Sequence, residues 1–139
     1  MLGGIAAAWG LDGAALGGPA WLWPALGCAV GTAGAALRLW AIALLGPLFS
    51  RELRVVEGHR VVTAGPYRLV RHPAYAGAIL IFAGIGIGLA NVVSIVVCTA
   101  LPAAGYAERI PREEALLRER LGEPYADYAA GTRRLVPGL

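Results

Sequence analysis

Apart from Asp12 and Arg38, the charged side chains of this chain lie in two islands, Arg51 to His72 and Glu108 to Arg134. The first leads into the run His59-Arg60-Val61-Val62-Thr63-Ala64-Gly65-Pro66-Tyr67-Arg68-Leu69-Val70-Arg71-His72-Pro73-Ala74-Tyr75-Ala76-Gly77. The second holds Arg109, Glu113, Glu114, Leu117, Gly122, Tyr125 and Tyr128. Neither carries the parts of a nucleophile, base and acid triad. The chemistry these residues suit is the positioning of charged reactants, since a guanidinium such as that of Arg109 can hold a carboxylate through paired hydrogen bonds. Arg109 precedes Glu113 by four residues, which on a continuous helix puts both on one face. Pro111 stands between them, where a kink is expected. Where a proton has to be removed, His72 and Glu113 are the candidate bases.

Each of these groups also has a plain structural reading. Arg71-His72-Pro73 can be a basic helix cap at lipid headgroups. Glu113-Glu114 can be a solvated acidic pair in the first turn after Pro111, where the helix dipole favours carboxylates, and that reading suits Glu114. Tyr125 and Tyr128 can be interface aromatics or packing for a lid, and His59 an exposed loop histidine. Cys28 and Cys98 sit inside apolar blocks with no CxxC spacing and no ligand set around them, so they read as inert thiols and no metal site is expected.

The elements that position these residues are set by where the apolar blocks lie. The chain has 139 residues, 58% hydrophobic and 15% charged, with a mean hydropathy of +0.63. Soluble domains are roughly a quarter charged. From Pro73 to Ala107 there are 35 residues without a charge. As one helix that block would measure about 52 Å, against a hydrocarbon core of about 30 Å. It therefore folds into two short spans, with the break near Asn91. Upstream, Trp21 to Phe49 makes a long span with Trp21, Trp23 and Trp40 as interface anchors. Leu2 to Gly18 is a weaker candidate, interrupted by Asp12, and Gly17-Gly18-Pro19 supplies a turn after it. The N-terminus lacks a basic region ahead of its apolar stretch, so no cleavable signal is expected.

These blocks predict an all-α integral membrane protein of about four short spans, forming a single domain over residues 1–139. Residues 1–50 would be N-terminal spans and 51–139 a core carrying the polar site. All twelve basic residues are arginines, concentrated in the two islands, and basic loops stay cytoplasmic. Both termini and both islands are therefore expected on the cytoplasmic side of the cell membrane. No basic run interleaved with aromatics points to nucleic acid. Pro73 suits the first position of a helix. Leu117, Leu121, Tyr125 and Tyr128, punctuated by Gly122 and Pro124, predict an amphipathic helix pair lying on the membrane over the loop ahead. Arg38, inside a span, is either a functional group or a side chain that snorkels to the cytoplasmic face.

The two islands together resemble the family of isoprenylcysteine carboxyl methyltransferases and phospholipid methyltransferases. The first half of that signature, G-x-Y…R-H-P-x-Y-x-G, is met by Gly65, Tyr67, Arg71, His72, Pro73, Tyr75 and Gly77. The second half, R-x-x-x-E-E-x-x-L…G-x-x-Y-x-x-Y, is met by Arg109, Glu113, Glu114, Leu117, Gly122, Tyr125 and Tyr128. The resemblance covers the chain from about Trp40 onward. It implies S-adenosylmethionine as cofactor, in a cytoplasmic pocket closed by the C-terminal amphipathic helices. By the same resemblance His59, Arg60, Val61, Val62, Tyr67, His72, Pro73, Ala74, Tyr75 and Glu113 match cofactor-contacting positions. Glu52 is a further contact that no motif fixes, and Arg109 matches the arginine that orients the substrate. The chain is shorter than eukaryotic members, so the part that would shape a lipid-tail tunnel is minimal.

Methyl transfer asks little of side chains. A carboxylate acceptor is already ionised at neutral pH, so the work is alignment and the exclusion of water. The resemblance thus implies O-methylation of a lipophilic, isoprenylcysteine-like carboxylate, with the bilayer and a prenylated or other lipophilic molecule as partners. A phospholipid amine or another lipophilic acceptor is the alternative, and it would need a base. A membrane reductase using NADPH and a scaffold without activity are the more distant ones.

Overall fold

The computed structural model describes residues 14–46 and 61–136. Glu52, His59 and Arg60, and residues 2–13 of the first apolar segment, lie outside the described residues. The regular structure within them is helical. Helix α1 is Leu22–Leu45, a 3-10 turn spans Gly65–Arg68, α2 is Pro73–Gly88, α3 is Val92–Leu121 and α4 is Glu123–Gly131. Helices α1 and α3 are long and apolar enough to cross a membrane, and α2 is a shorter apolar helix of 16 residues. Their outward faces carry large apolar side chains such as Leu39, Phe82, Ile85, Val96 and Leu101. Lipid is the solvent that suits such a surface.

Helix α1 ends at Gly46, whose φ of 51° few other residues adopt and whose N–H donates to the Ile42 carbonyl. It packs along α2 through paired glycines. A Cβ on Gly27 would lie 2.4 Å from the Gly84 carbonyl oxygen, and one on Gly34 would lie 2.7 Å from that of Gly77. The reciprocal contacts are 2.5 Å and 2.6 Å. No real Cβ comes so close to backbone, so the helices touch main chain to main chain, as small residues permit inside a bilayer. Gly84→Val should therefore force the pair apart and cost about 1–3 kcal/mol, the range of overpacked cores. Thermal denaturation in detergent micelles reads the effect, and an unchanged midpoint would mean that the seam is not a close contact.

The turn falls at Asn91, as the apolar block requires. Ala90 takes a φ of 53°, and Asn91 Oδ1 accepts from the N–H groups of Val93 at 2.9 Å and Ser94 at 3.3 Å. That side chain caps α3 in the preferred way. The last part of the expected first span, Ala14 to Gly18, is not an α-helix. Its Leu16 N–H instead donates to the Ala90 carbonyl at 2.8 Å, tying it to the hairpin turn.

Two expectations need correction beyond that turn. The first amphipathic helix is not a separate element, because α3 runs unbroken through Pro102 and Pro111 for 30 residues, about 45 Å. Proline removes one backbone hydrogen bond from a helix. At Pro111 the carbonyl that loses its partner belongs to exposed Ala107, while Ile110 and Glu114 on either side are buried. Burial on both flanks outweighs the lost bond. The apolar part of α3 ends near Ala107 and its charged continuation projects beyond it. The helix stops at Gly122, with a φ of 61°, and α4 restarts with proline in its first turn. The second correction concerns Glu114, which is not solvated.

Candidate functional site

The polar groups gather at one end of the three apolar helices, where the loop before α2 meets the charged half of α3. Gly65 lets that loop approach α1: with a φ of 56°, a Cβ there would strike Leu44 Cδ1 at 2.6 Å and Trp40 at 3.1 Å. The following Tyr67 is buried, its hydroxyl 3.4 Å from the Ala41 carbonyl, in a small core with Ala41 and Ala74 that Val62 packs against. Val61 is half-buried beside it in sequence. Burial raises the Tyr67 phenol well above its ordinary range. Arg38 Nη1 donates to the Ala74 carbonyl at 2.8 Å, so this arginine ties α1 to the first turn of α2.

Two networks then engage Arg109, Glu113 and Glu114 of α3. In the first, Tyr75 is the hub. Its hydroxyl donates to Glu113 Oε2 at 2.5 Å and accepts from Arg109 Nε at 2.9 Å. Arg109 and Glu113 therefore do lie on one face of α3, despite Pro111. The Tyr75 ring lies between His72, at 5.5 Å and 9°, and Tyr106, at 4.4 Å and 18°. The Arg109 guanidinium carbon is 5.8 Å from the same ring centre. The result is an aromatic wall with a carboxylate and a guanidinium at its edge.

In the second network the hub is Glu114, 1% exposed. Its Oε1 accepts from Arg71 Nε at 2.9 Å and lies 3.3 Å from His72 Nε2, while Oε2 accepts from Arg134 Nη2 at 3.0 Å. Burial by itself would raise this carboxyl, but hydrogen bonds from His72, Arg134 and Arg71 outweigh it and hold the group well below its ordinary 4.5. Arg71 Nη1 also donates to the Ala129 carbonyl at 2.7 Å and to the Thr132 carbonyl, fastening the end of α4. Past α4 the tail runs along the loop, with Arg71 N–H donating to the Arg133 carbonyl at 2.7 Å and His72 N–H to that of Arg134 at 3.0 Å.

The site residues expected from the sequence thus divide into groups. Tyr67, His72, Pro73, Ala74, Tyr75, Arg109 and Glu113 come together, with Val62 packed at their margin. Glu52, His59 and Arg60 lie outside the described residues. Tyr125 is a packing residue: its ring is buried, stands 6.1 Å from that of Tyr128 at 60°, and its hydroxyl has no partner among the described residues. Tyr128 donates to the Tyr67 carbonyl at 2.8 Å, and burial pushes its phenol up to about 12. Sequence reasoning missed Tyr106 and Arg134, and it assigned Glu114 to solvent. The available signal was the Glu113-Glu114 pair itself, because neighbours on a helix point about 100° apart and only one can face Tyr75.

Fold and site define a small helical membrane protein whose polar chemistry sits where its spans emerge into a charged cap. The chain belongs to the isoprenylcysteine carboxyl methyltransferase (ICMT) family, whose model matches residues 25–119. Protein-S-isoprenylcysteine O-methyltransferase B of Arabidopsis thaliana is 35% identical over 106 residues, 75% of this chain and 54% of the relative. The protein-S-isoprenylcysteine O-methyltransferase of Schizosaccharomyces pombe is 33% identical over 103 residues, 73% of this chain and 42% of the relative. The solved structure of a eukaryotic intramembrane Ras methyltransferase, ICMT, superposes with a TM-score of 0.78 at 30% identity. That match covers 84% of this chain and 43% of the other. The chain spans about half the length of the curated relatives it matches.

Proposed function

We propose that this protein is an S-adenosylmethionine-dependent methyltransferase of the cell membrane, with several spans and its site facing the cytoplasm. Its acceptor is the carboxylate of a lipophilic, isoprenylcysteine-like molecule, such as the prenylated end of a protein. The observation that carries this reading is the convergence of Arg109 and Glu113 on the Tyr75 phenol, at the mouth of the apolar helices. A lipophilic molecule in the bilayer can present its polar end there without leaving lipid.

The residues present fit a sulfonium nucleoside. The face of Tyr106 turned away from Tyr75 can attract a cation, and the Glu113 carboxylate accepts hydrogen bonds from hydroxyl or amino groups. Glu52, His59, Arg60, Val61, Val62, Tyr67, His72, Pro73, Ala74, Tyr75 and Glu113 would hold it. Bound there, the cofactor supplies an electrophilic methyl group. Arg109 orients the acceptor carboxylate, whose two oxygens a planar guanidinium matches. Tyr75 sets the distance between the two charged groups. Buried Tyr67, Val70 and His72 of the loop and the docked α4 exclude water, which strengthens the electrostatic contacts inside.

Calorimetry with S-adenosylhomocysteine tests the pocket. Glu113→Ala should weaken binding about 10- to 100-fold, the loss of one charge-assisted contact, in a protein that still folds. Wild-type affinity in that variant would show that the pocket lies elsewhere.

A further inference from the structure

We propose that Glu114 is a positioning residue for the cofactor pocket and acts through His72, an inference that rests on the methyltransferase reading above. Glu114 does not bond Tyr75, and among the described residues its hydrogen-bond partners are Arg71, His72 and Arg134. Of these, His72 is the one that reaches the pocket, because its ring lies nearly parallel to that of Tyr75. Its position is set from three sides. Glu114 Oε1 meets Nε2 at 3.3 Å, the Arg134 carbonyl accepts from its backbone N–H at 3.0 Å, and Tyr75 lies against its face.

The carboxylate also sets which nitrogen carries the proton. A carboxylate accepts, so Nε2 is the protonated nitrogen, and in the neutral ring Nδ1 remains an acceptor for another group. A ring released from Glu114 could rotate or exchange tautomer and would then offer the pocket different atoms. The adjacent carboxylates of α3 thus divide the work. Glu113 meets the pocket directly, while Glu114 holds in register the loop that forms its other wall. Arg71 and Arg134 extend that hold to the tail: both bond Glu114, and Arg71 also binds the carbonyls of Ala129 and Thr132.

A double-mutant cycle on the full-length protein tests this, with S-adenosylhomocysteine as the probe and calorimetry as the readout. Glu114→Gln should bind about tenfold more weakly than wild type, the size of one charge-assisted hydrogen bond. In a His72→Asn background, adding Glu114→Gln should weaken binding no further, because the route to the pocket is already cut. A merely structural role would make the two losses multiply, and that result would overturn the proposal, as would unchanged binding by Glu114→Gln. Should Glu114→Gln fail to fold, Glu114→Asp is read instead. It keeps the charge but draws the oxygens back, and the same tenfold loss is expected, with none added in the His72→Asn background; wild-type affinity, or losses that multiply, would overturn the proposal. Absence of binding by the wild-type protein would overturn the functional reading itself, whereas wild-type binding with an unaffected Glu114 variant would overturn only the positioning role.

Discussion

Arg109→Ala should lower turnover on a lipophilic carboxylate by about 10²–10³-fold, the effect of removing one donor aimed at a reacting oxygen. Affinity for S-adenosylhomocysteine should change far less, because Glu113 and the loop before α2 remain. Arg109→Lys should rescue only partly, since an ammonium is a point charge without the planar fork that matches a carboxylate. The substitution also takes a donor from the Tyr75 hydroxyl, which Arg109 Nε meets at 2.9 Å. Tyr75→Phe is the matching control, keeping the ring stack while removing that contact. The loss should depend on the acceptor, large for a lipophilic acid and small for a neutral amine. An Arg109→Ala enzyme that methylated a carboxylate at the wild-type rate would remove Arg109 from the acceptor side.

Glu114→Ala should destabilise the protein by about 3–5 kcal/mol, the usual consequence of removing one partner from a buried ionic cluster. Arg71, 10% exposed, would be left without its carboxylate. The contribution also depends on pH. The Glu114 carboxyl is held below its ordinary 4.5 in the folded protein, so the unfolded chain binds the proton more readily. The stabilisation is then fully present above about pH 4.5 and declines as the pH falls below it. Thermal midpoints in detergent, taken from pH 7 downward, should show wild type and Glu114→Gln well separated at neutral pH and converging in acid. A separation that stayed constant or widened in acid would contradict the ion-paired state of Glu114.

Much of this architecture is legible in the sequence because local physics decides it. Pro73 marks the start of α2, the length of the uncharged block demands a turn near Asn91, and Gly122 with Pro124 separates α3 from α4. The four-residue spacing of Arg109 and Glu113 likewise puts both on one face of α3, and the structure sets that face against Tyr75. What was not legible depends on partners far along the chain. Pro111 reads as a kink or the start of a new helix, yet buried Ile110 and Glu114 flank it within one continuous helix. Glu114 reads as solvated because its partners, Arg71 and Arg134, lie 43 and 20 residues away and converge only once the tail docks on the loop. The glycine seam between α1 and α2 is set by the register of two helices, which neither sequence alone discloses.

The most direct test of the account is methyl transfer by the purified protein. Reconstituted in lipid with S-adenosylmethionine labelled in its methyl group and a farnesylated cysteine derivative, it should form a base-labile methyl ester. Glu113→Ala and Arg109→Ala should each lower the rate strongly. Formation of the ester by wild type, and its dependence on both residues, is the predicted result. A wild-type protein that binds neither S-adenosylmethionine nor S-adenosylhomocysteine, and transfers no methyl group to that carboxylate, would contradict it.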